Sequence, residues 1–211
     1  MSEGGRMVPV FLVPAGRKIV VFGGGNVSLR KCRHFDGFRI KVIAEEMLPE
    51  IAAVAETFVR STVTAENAGS FMDGAEMVIA ATSSKALNGT IRDIAMEKGI
   101  PVNSAHGGGD VLIPSTLRRG GFTVAVSSEG HAPSFPPYVM TQIDNFLDDS
   151  YEKMLVLLVK LRPSVMEQIK SQPERAEALE RIINDSDIWN LLRSGDEEGA
   201  FYAAKKEGGL K

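Results

Sequence analysis

Three consecutive glycines, Gly23, Gly24 and Gly25, stand in the stretch KIVVFGGGNVSLRK, between an apolar, β-branched run and a basic segment with helical spacing. A glycine turn that leaves a strand and opens a helix is suited to anions. The first glycine permits the tight turn, and another removes a side chain so that a phosphate can reach the backbone N–H groups at the helix N-terminus. Gly23 and Gly25 fit a Gly-x-Gly-x-x-Gly/Ala fingerprint in which Ser28 takes the place of the third small residue. Glu45 and Glu46 follow Gly25 by about 20 residues, at the end of IKVIAEE, where an acid bonds the ribose hydroxyls of a dinucleotide. A carboxylate there favours NAD over NADP, because it would face the 2′-phosphate of the latter.

The elements needed to hold such a loop are legible around it. KIVVFG, IKVIAE, STVTA, AEMVIAAT and IPVNSA read as short buried strands, and NVSLRKCRHFDGF, MLPEIAAVAETF and SKALNGTIRDIAMEKG read as helical segments between them. That alternation predicts an α/β fold, a Rossmann-like parallel sheet with helices on both faces. GFTVAVSSEG reads as a sixth strand, with Arg118 and Arg119 just before it, and HAPSFPPYVM as a proline-rich break. From Asp144 onward helical spacing takes over, with Pro163 and Pro173 as punctuation and a tail expected to fray at its end. The expected division is residues 1–115 as the nucleotide-binding domain, 116–148 as a pairing segment and 149–211 as a helical domain.

Composition narrows the class. The 211 residues are 44% hydrophobic and carry a formal net charge of −3, enough to build a core and too near neutral to give an overall field for nucleic acid. No apolar run approaches the roughly 20 residues of a membrane helix, and the start MSEGGRMVPVFLV is too short in apolar residues for a signal peptide. With Cys32 as its single cysteine the chain suits a reducing compartment, and a cytoplasmic location is expected. Cys32 and Trp189 read as packing residues, and His34 as a surface residue.

The segments VVFGGGNVSLRK, VIAATSSKALN, PVN and VLIPSTLRRGGFTVAVSSEGHAP together resemble the N-terminal module of siroheme synthases and the free-standing precorrin-2 dehydrogenases. KLRPSVMEQI and PERAEALERII are similar to the helical C-terminal segment of the free-standing members. The resemblance implies NAD-dependent oxidation of precorrin-2 to sirohydrochlorin, with Fe²⁺ insertion in some members, and an intertwined homodimer paired through the segment after the nucleotide-binding domain. It implies cofactor contacts from Gly23, Gly24 and Gly25, from Asn26 and Val27, from Glu45 and Glu46, and from Ala81 and Thr82 at the carboxyl end of the fourth strand. A substrate rich in carboxylates would dock on cationic side chains, with Arg119 the main candidate beside Arg30, Lys31, Arg33 and Arg118, and with Ser128 and His131 near the end of the sixth strand.

The sequence departs from the family at the expected acid/base residue. NSAHGGGDVLIP carries His106 where the family has an aspartate, in a loop about two residues shorter; Asp110 reads as a loop position. Imidazole titrates near neutral pH and can accept a proton there, so His106 is the catalytic candidate, and no resident metal is expected. Two alternatives stay open. One is a non-catalytic tetrapyrrole or nucleotide carrier; the other is a chelatase that uses His106 and His131 on the metal side and needs no NAD⁺.

Overall fold

Ile19, Val20, Val21 and Phe22 are all buried, as expected of a strand covered on both faces. The computed structural model describes residues 7–211, so the first six residues of the start read above lie outside the described residues. Five parallel strands, β1 (Lys18–Phe22), β2 (Arg39–Ala44), β3 (Thr57–Arg60), β4 (Met77–Ala80) and β5 (Val102–Ser104), form one sheet in the order β3-β2-β1-β4-β5. Helix α1 (Asn26–His34) connects β1 to β2, and α2 (Ala65–Phe71) and α3 (Lys85–Glu97) lead into β4 and β5. Ile19, Val21 and Ile79 pack with Leu29, Cys32 and Phe35 on one face, while Val20, Phe22 and Val78 pack with Ala68, Met72 and Ile91 on the other. The expected α/β class with helices on both faces is the fold observed. Strand order reverses between β1 and β4, and the crevice beyond their carboxyl ends is where sheets of this kind take a ligand.

Several element assignments differ from the sequence reading, each for a local reason. MLPEIAAVAETF is no helix: a 3₁₀ turn covers Pro49–Ala53, and Phe58 and Val59 pair with Val42 and Ile43 as part of β3. STVTA is the loop after that strand, because Thr64 caps α2 in a reciprocal pair with Asn67. The segment AENAGSF forms α2, and a Cβ at its Gly69 would lie 3.4 Å from Ile94 of α3.

A second compact unit runs from Pro114 to Lys211. Arg118 and Arg119 do not precede a strand but lie in one, β6 (Ser115–Arg119), which pairs antiparallel with β7 (Phe122–Val126). The two-residue turn Gly120–Gly121, with Gly120 at φ +51°, makes this a hairpin. Helix α4 (Phe135–Phe146) begins inside the proline-rich stretch, because Pro136 and Pro137 occupy its first turn, where a missing N–H costs nothing. Helices α5 (Asp149–Gln168), α6 (Gln172–Asn184), α7 (Ser186–Ser194) and α8 (Glu197–Glu207) follow. Pro163 does not end α5; the carbonyl it deprives of a partner belongs to Val159, which is 62% exposed and open to water. Nor is the tail frayed, since Leu210 is buried in the cluster of Met154, Leu157, Leu161, Ile182 and Ile188.

That cluster carries a direct test. Leu161 is fully buried, so Leu161→Ala is expected to cost about 2–5 kcal/mol of stability in this unit. Trp189, the single tryptophan, packs on the same cluster and bonds the Ile183 carbonyl at 2.7 Å, so its fluorescence in a urea titration reads the loss. An unshifted midpoint would mean that the helices are not held by this core.

Candidate active site

The three glycines do three different things. Gly23 sits at φ +113°, donates its N–H to the Ile43 carbonyl at 2.9 Å, and has no room for a Cβ, which would lie 2.3 Å from the Ala81 oxygen. A Cβ on Gly24 would lie 2.0 Å from the Glu46 oxygen, and the Gly24 carbonyl accepts from the Leu48 N–H at 2.9 Å. Gly25, extended at φ −93° and ψ −170°, is the N-cap of α1, and a Cβ there would meet nothing within 4 Å. No side chain caps this helix and no acid lies in its first turn, so its leading N–H groups face an anion without competition. These residues fit a diphosphate. Ser28 is buried and its hydroxyl donates to the Ala81 carbonyl at 3.4 Å, joining the first turn of α1 to the end of β4.

Around that cradle the expected cofactor residues come together. Asn26 and Val27 are exposed at the start of α1, and Glu45 and Glu46 are exposed immediately after β2. Arg60 ends β3 opposite Ala44. Ala81 is buried just past β4, and Thr82 turns toward α3.

Asn88 was not singled out from the sequence, although an asparagine inside a helix calls for a partner. It is fully buried and takes the Thr82 N–H at 2.9 Å and the Thr82 hydroxyl at 2.7 Å on Oδ1. Its Nδ2 lies 3.0 Å from the Thr82 carbonyl and 2.8 Å from His106 Nδ1. His106 lines an open groove of about 470 Å³ with Lys85, Arg92 and Ser104. Arg92 shares its charge with Asp93 at 2.6 Å, and Lys85 has no ion-pair partner among the described residues. Asp110 is structural, its Oδ1 accepting from the Val102 N–H at 2.6 Å.

Lys31 reaches across from α1 to the Asn103 Oδ1, an amide held in turn by the Val111 carbonyl at 2.8 Å. Burial, with the charge of Arg30 as the lesser cause, lowers the Lys31 ammonium to about 8. The unfolded chain therefore binds the proton more tightly between about 8 and the ordinary lysine value of 10.5, so this residue makes stability rise with pH across that window. Lys31→Met is expected to remove that rise and to be no less stable than the parent at neutral pH, as read from melting curves at several pH values. A parent curve that falls over the window while the variant stays flat would reverse the assignment. Burial likewise pushes the Cys32 thiol up to about 11, which makes it an inert packing residue as expected.

In the second unit the expected substrate residues Arg119, Ser128 and His131 have partners within the chain. Arg119, read as a receiver of substrate carboxylates, already holds one of the chain's own. Its Nη2 and Nε donate to Asp144 Oδ1 at 2.6 and 3.1 Å, and Asp149 lies 3.5 Å from Nη1. These bonds raise its affinity for the proton and anchor β6 to the end of α4. Arg118 is exposed, with no ion-pair partner among the described residues. Ser128 and His131 share one turn, in which the Ser128 hydroxyl donates to the Ala132 carbonyl at 3.0 Å and the Ser128 carbonyl accepts from the His131 N–H at 2.9 Å. His34 stacks edge-on against Phe35 at 5.1 Å and is half-buried.

A family model for NAD(P)-binding domains matches residues 10–115. The precorrin-2 dehydrogenase of Methanosarcina barkeri (strain Fusaro / DSM 804) is 31% identical over 96% of this chain and 94% of its own length. The siroheme synthase of Ectopseudomonas mendocina (strain ymp) is 29% identical over 92% of this chain, which spans 42% of that longer protein. Among solved structures, SirC, a precorrin-2 dehydrogenase, superposes with a TM-score of 0.74 over 95% of this chain and all of its own, at 24% identity, a likeness of fold. The chain belongs to the precorrin-2 dehydrogenase family, whose NAD(P)-binding domain it carries around the glycine turn.

Proposed function

We propose that this chain oxidises precorrin-2 to sirohydrochlorin, with the glycine turn at the β1–β4 crevice as the NAD⁺ site. The observation that carries the reading is Gly25, an open, uncapped helix start in the one place where a diphosphate needs backbone N–H groups. When bound, NAD⁺ supplies the acceptor for a hydride, while a proton leaves the substrate to solvent or a neighbouring base. The chain's own contribution is positional. Gly23 and Gly24 shape the turn, the first turn of α1 holds the diphosphate, and Glu45 and Glu46 accept from ribose hydroxyls. Ala81 and Thr82 floor the crevice where the ring to be oxidised meets the cofactor. Lys85 and Arg92, which line the groove beside His106, offer donors for an acidic tetrapyrrole.

Residues 116–148 pair two copies of the chain in this reading, and residues 149–211 form a helical domain. Among the described residues the two-stranded hairpin has no partner strand at either outer edge, and Phe135, Tyr138 and Phe146 of the same segment are 56%, 62% and 72% exposed, features that support a second copy. Light scattering is expected to give twice the 22.8 kDa of one chain. Among the described residues no helix is long and apolar enough to cross a membrane.

The deciding experiment follows the absorption spectrum of precorrin-2 with purified protein, with and without NAD⁺ and with and without Fe²⁺ or Co²⁺. An NAD⁺-dependent conversion is expected. Binding without turnover would favour a carrier, and metal insertion without NAD⁺ would favour a chelatase.

A further inference from the structure

The orientation of one buried amide decides which proton His106 carries. Thr82 meets Asn88 with a backbone N–H, which can only donate, and with a carbonyl, which can only accept. Exchanging the two ends of the amide would set NH₂ against N–H and oxygen against oxygen, so Asn88 has a single orientation. Its second Nδ2 hydrogen then faces His106 Nδ1 at 2.8 Å, and that nitrogen must present its lone pair. In the neutral ring the proton is left on Nε2, on the side away from Asn88. His131 has the opposite arrangement, because its Nδ1 lies 3.0 Å from the Ser128 carbonyl and must donate, which leaves Nε2 with the lone pair.

We infer that Asn88 is a positioning residue that holds His106 as the Nε2–H tautomer, so that His106 offers the groove a hydrogen-bond donor for a substrate carboxylate and does not present the lone pair a proton acceptor needs. With Lys85 and Arg92 beside it, this groove meets its ligand with donors. The carboxylate ligand rests on the dehydrogenase reading, which supplies an acidic tetrapyrrole; the tautomer does not depend on it.

With three histidines in the chain, long-range ¹H–¹⁵N correlation of the ¹⁵N-histidine-labelled protein at about pH 8.5, where imidazole is neutral, resolves the question. The His106 signals, identified by their loss in His106→Gln, are expected to show a protonated Nε2 and a bare Nδ1, and those of His131 the reverse. Asn88→Asp, which can only accept, is expected to draw the proton to Nδ1 and invert the His106 pattern alone. A parent spectrum with the proton on Nδ1 of His106 overturns the inference, as does a folded Asn88→Asp protein without inversion; if that variant does not fold, the parent spectrum decides. Precorrin-2 affinity, measured by equilibrium binding without NAD⁺, tests the donor role apart from turnover. His106→Glu, which lacks the N–H, is expected to bind at least 10-fold more weakly than His106→Gln, which keeps one, and equal affinities would refute that role.

Discussion

Gly25→Ala is expected to leave thermal stability nearly unchanged while weakening NAD⁺ binding roughly 10- to 100-fold, and Gly24→Ala, one residue earlier, is expected to damage the fold itself. At Gly25 the backbone is extended and a Cβ meets nothing, so alanine is conformationally acceptable. Its gain from a stiffer unfolded chain, about 0.4–1 kcal/mol, is offset by the preference of helix N-caps for glycine over alanine. The methyl group instead enters the space a diphosphate would occupy. Each lost hydrogen bond to a charged group is worth about 1.5–3 kcal/mol, and one such loss already accounts for the expected change in affinity. At Gly24 the methyl group would lie 2.0 Å from the Glu46 oxygen and 2.7 Å from the Met47 Cα, both backbone atoms that cannot swing away. Separating them means opening the contact between the glycine turn and the chain after β2, at a cost of about 3 kcal/mol or more. Melting curves and calorimetric NAD⁺ titration of both variants check the pair. Unchanged NAD⁺ affinity in Gly25→Ala would remove the diphosphate from this turn and with it the enzymatic reading.

The glycine turn could be read from the sequence because its constraints are local: a buried strand before it, a helix after it, and backbone geometry that only glycine relieves. The same holds for β1, β4 and α3, whose apolar runs or cap residues state their environment. MLPEIAAVAETF, residues 47–58, is not the helix its alanine-rich propensity suggests, because its end gives way to the pairing of Phe58, with Val59 after it, against β2, a contact made through space. At the site, the role of Asn88 and the bond that Asp110 makes from its loop were not legible, for a related reason. Each is defined by a partner on another element, Thr82 and His106 for one and the Val102 N–H for the other. Nothing near Arg119 in sequence announces Asp144, the carboxylate that its guanidinium already bonds. Spacing identified residues able to act as donors; only the fold distinguishes those already engaged.

The choice between the two dinucleotides is the second large effect expected. Glu45 and Glu46 follow β2 at the carboxyl edge of the sheet, and the Glu46 backbone abuts Gly24, so the proposed cofactor seated on the turn would bring its adenosine end to one or both carboxylates. A 2′-phosphate placed there faces like charge, which at an interface costs several kcal/mol, reduced here by exposure and salt. Arg60, at the end of β3 opposite Ala44, pulls the other way. As an exposed cation it returns at most about 1 kcal/mol, less than two carboxylates withhold, so NAD⁺ is expected to bind at least about 10-fold more tightly than NADP⁺. Replacing both acids, Glu45→Gln with Glu46→Gln, removes the repulsion while Arg60 remains, and the preference is expected to fall below about 3-fold. Arg60→Ala alone is expected to widen it. Raising the salt concentration should narrow the parent's preference without abolishing it, because the proposed ribose hydroxyl bonds to the carboxylates would persist when the Coulomb part is screened. Equal affinity of the parent for both dinucleotides would show that neither glutamate faces the adenosine ribose.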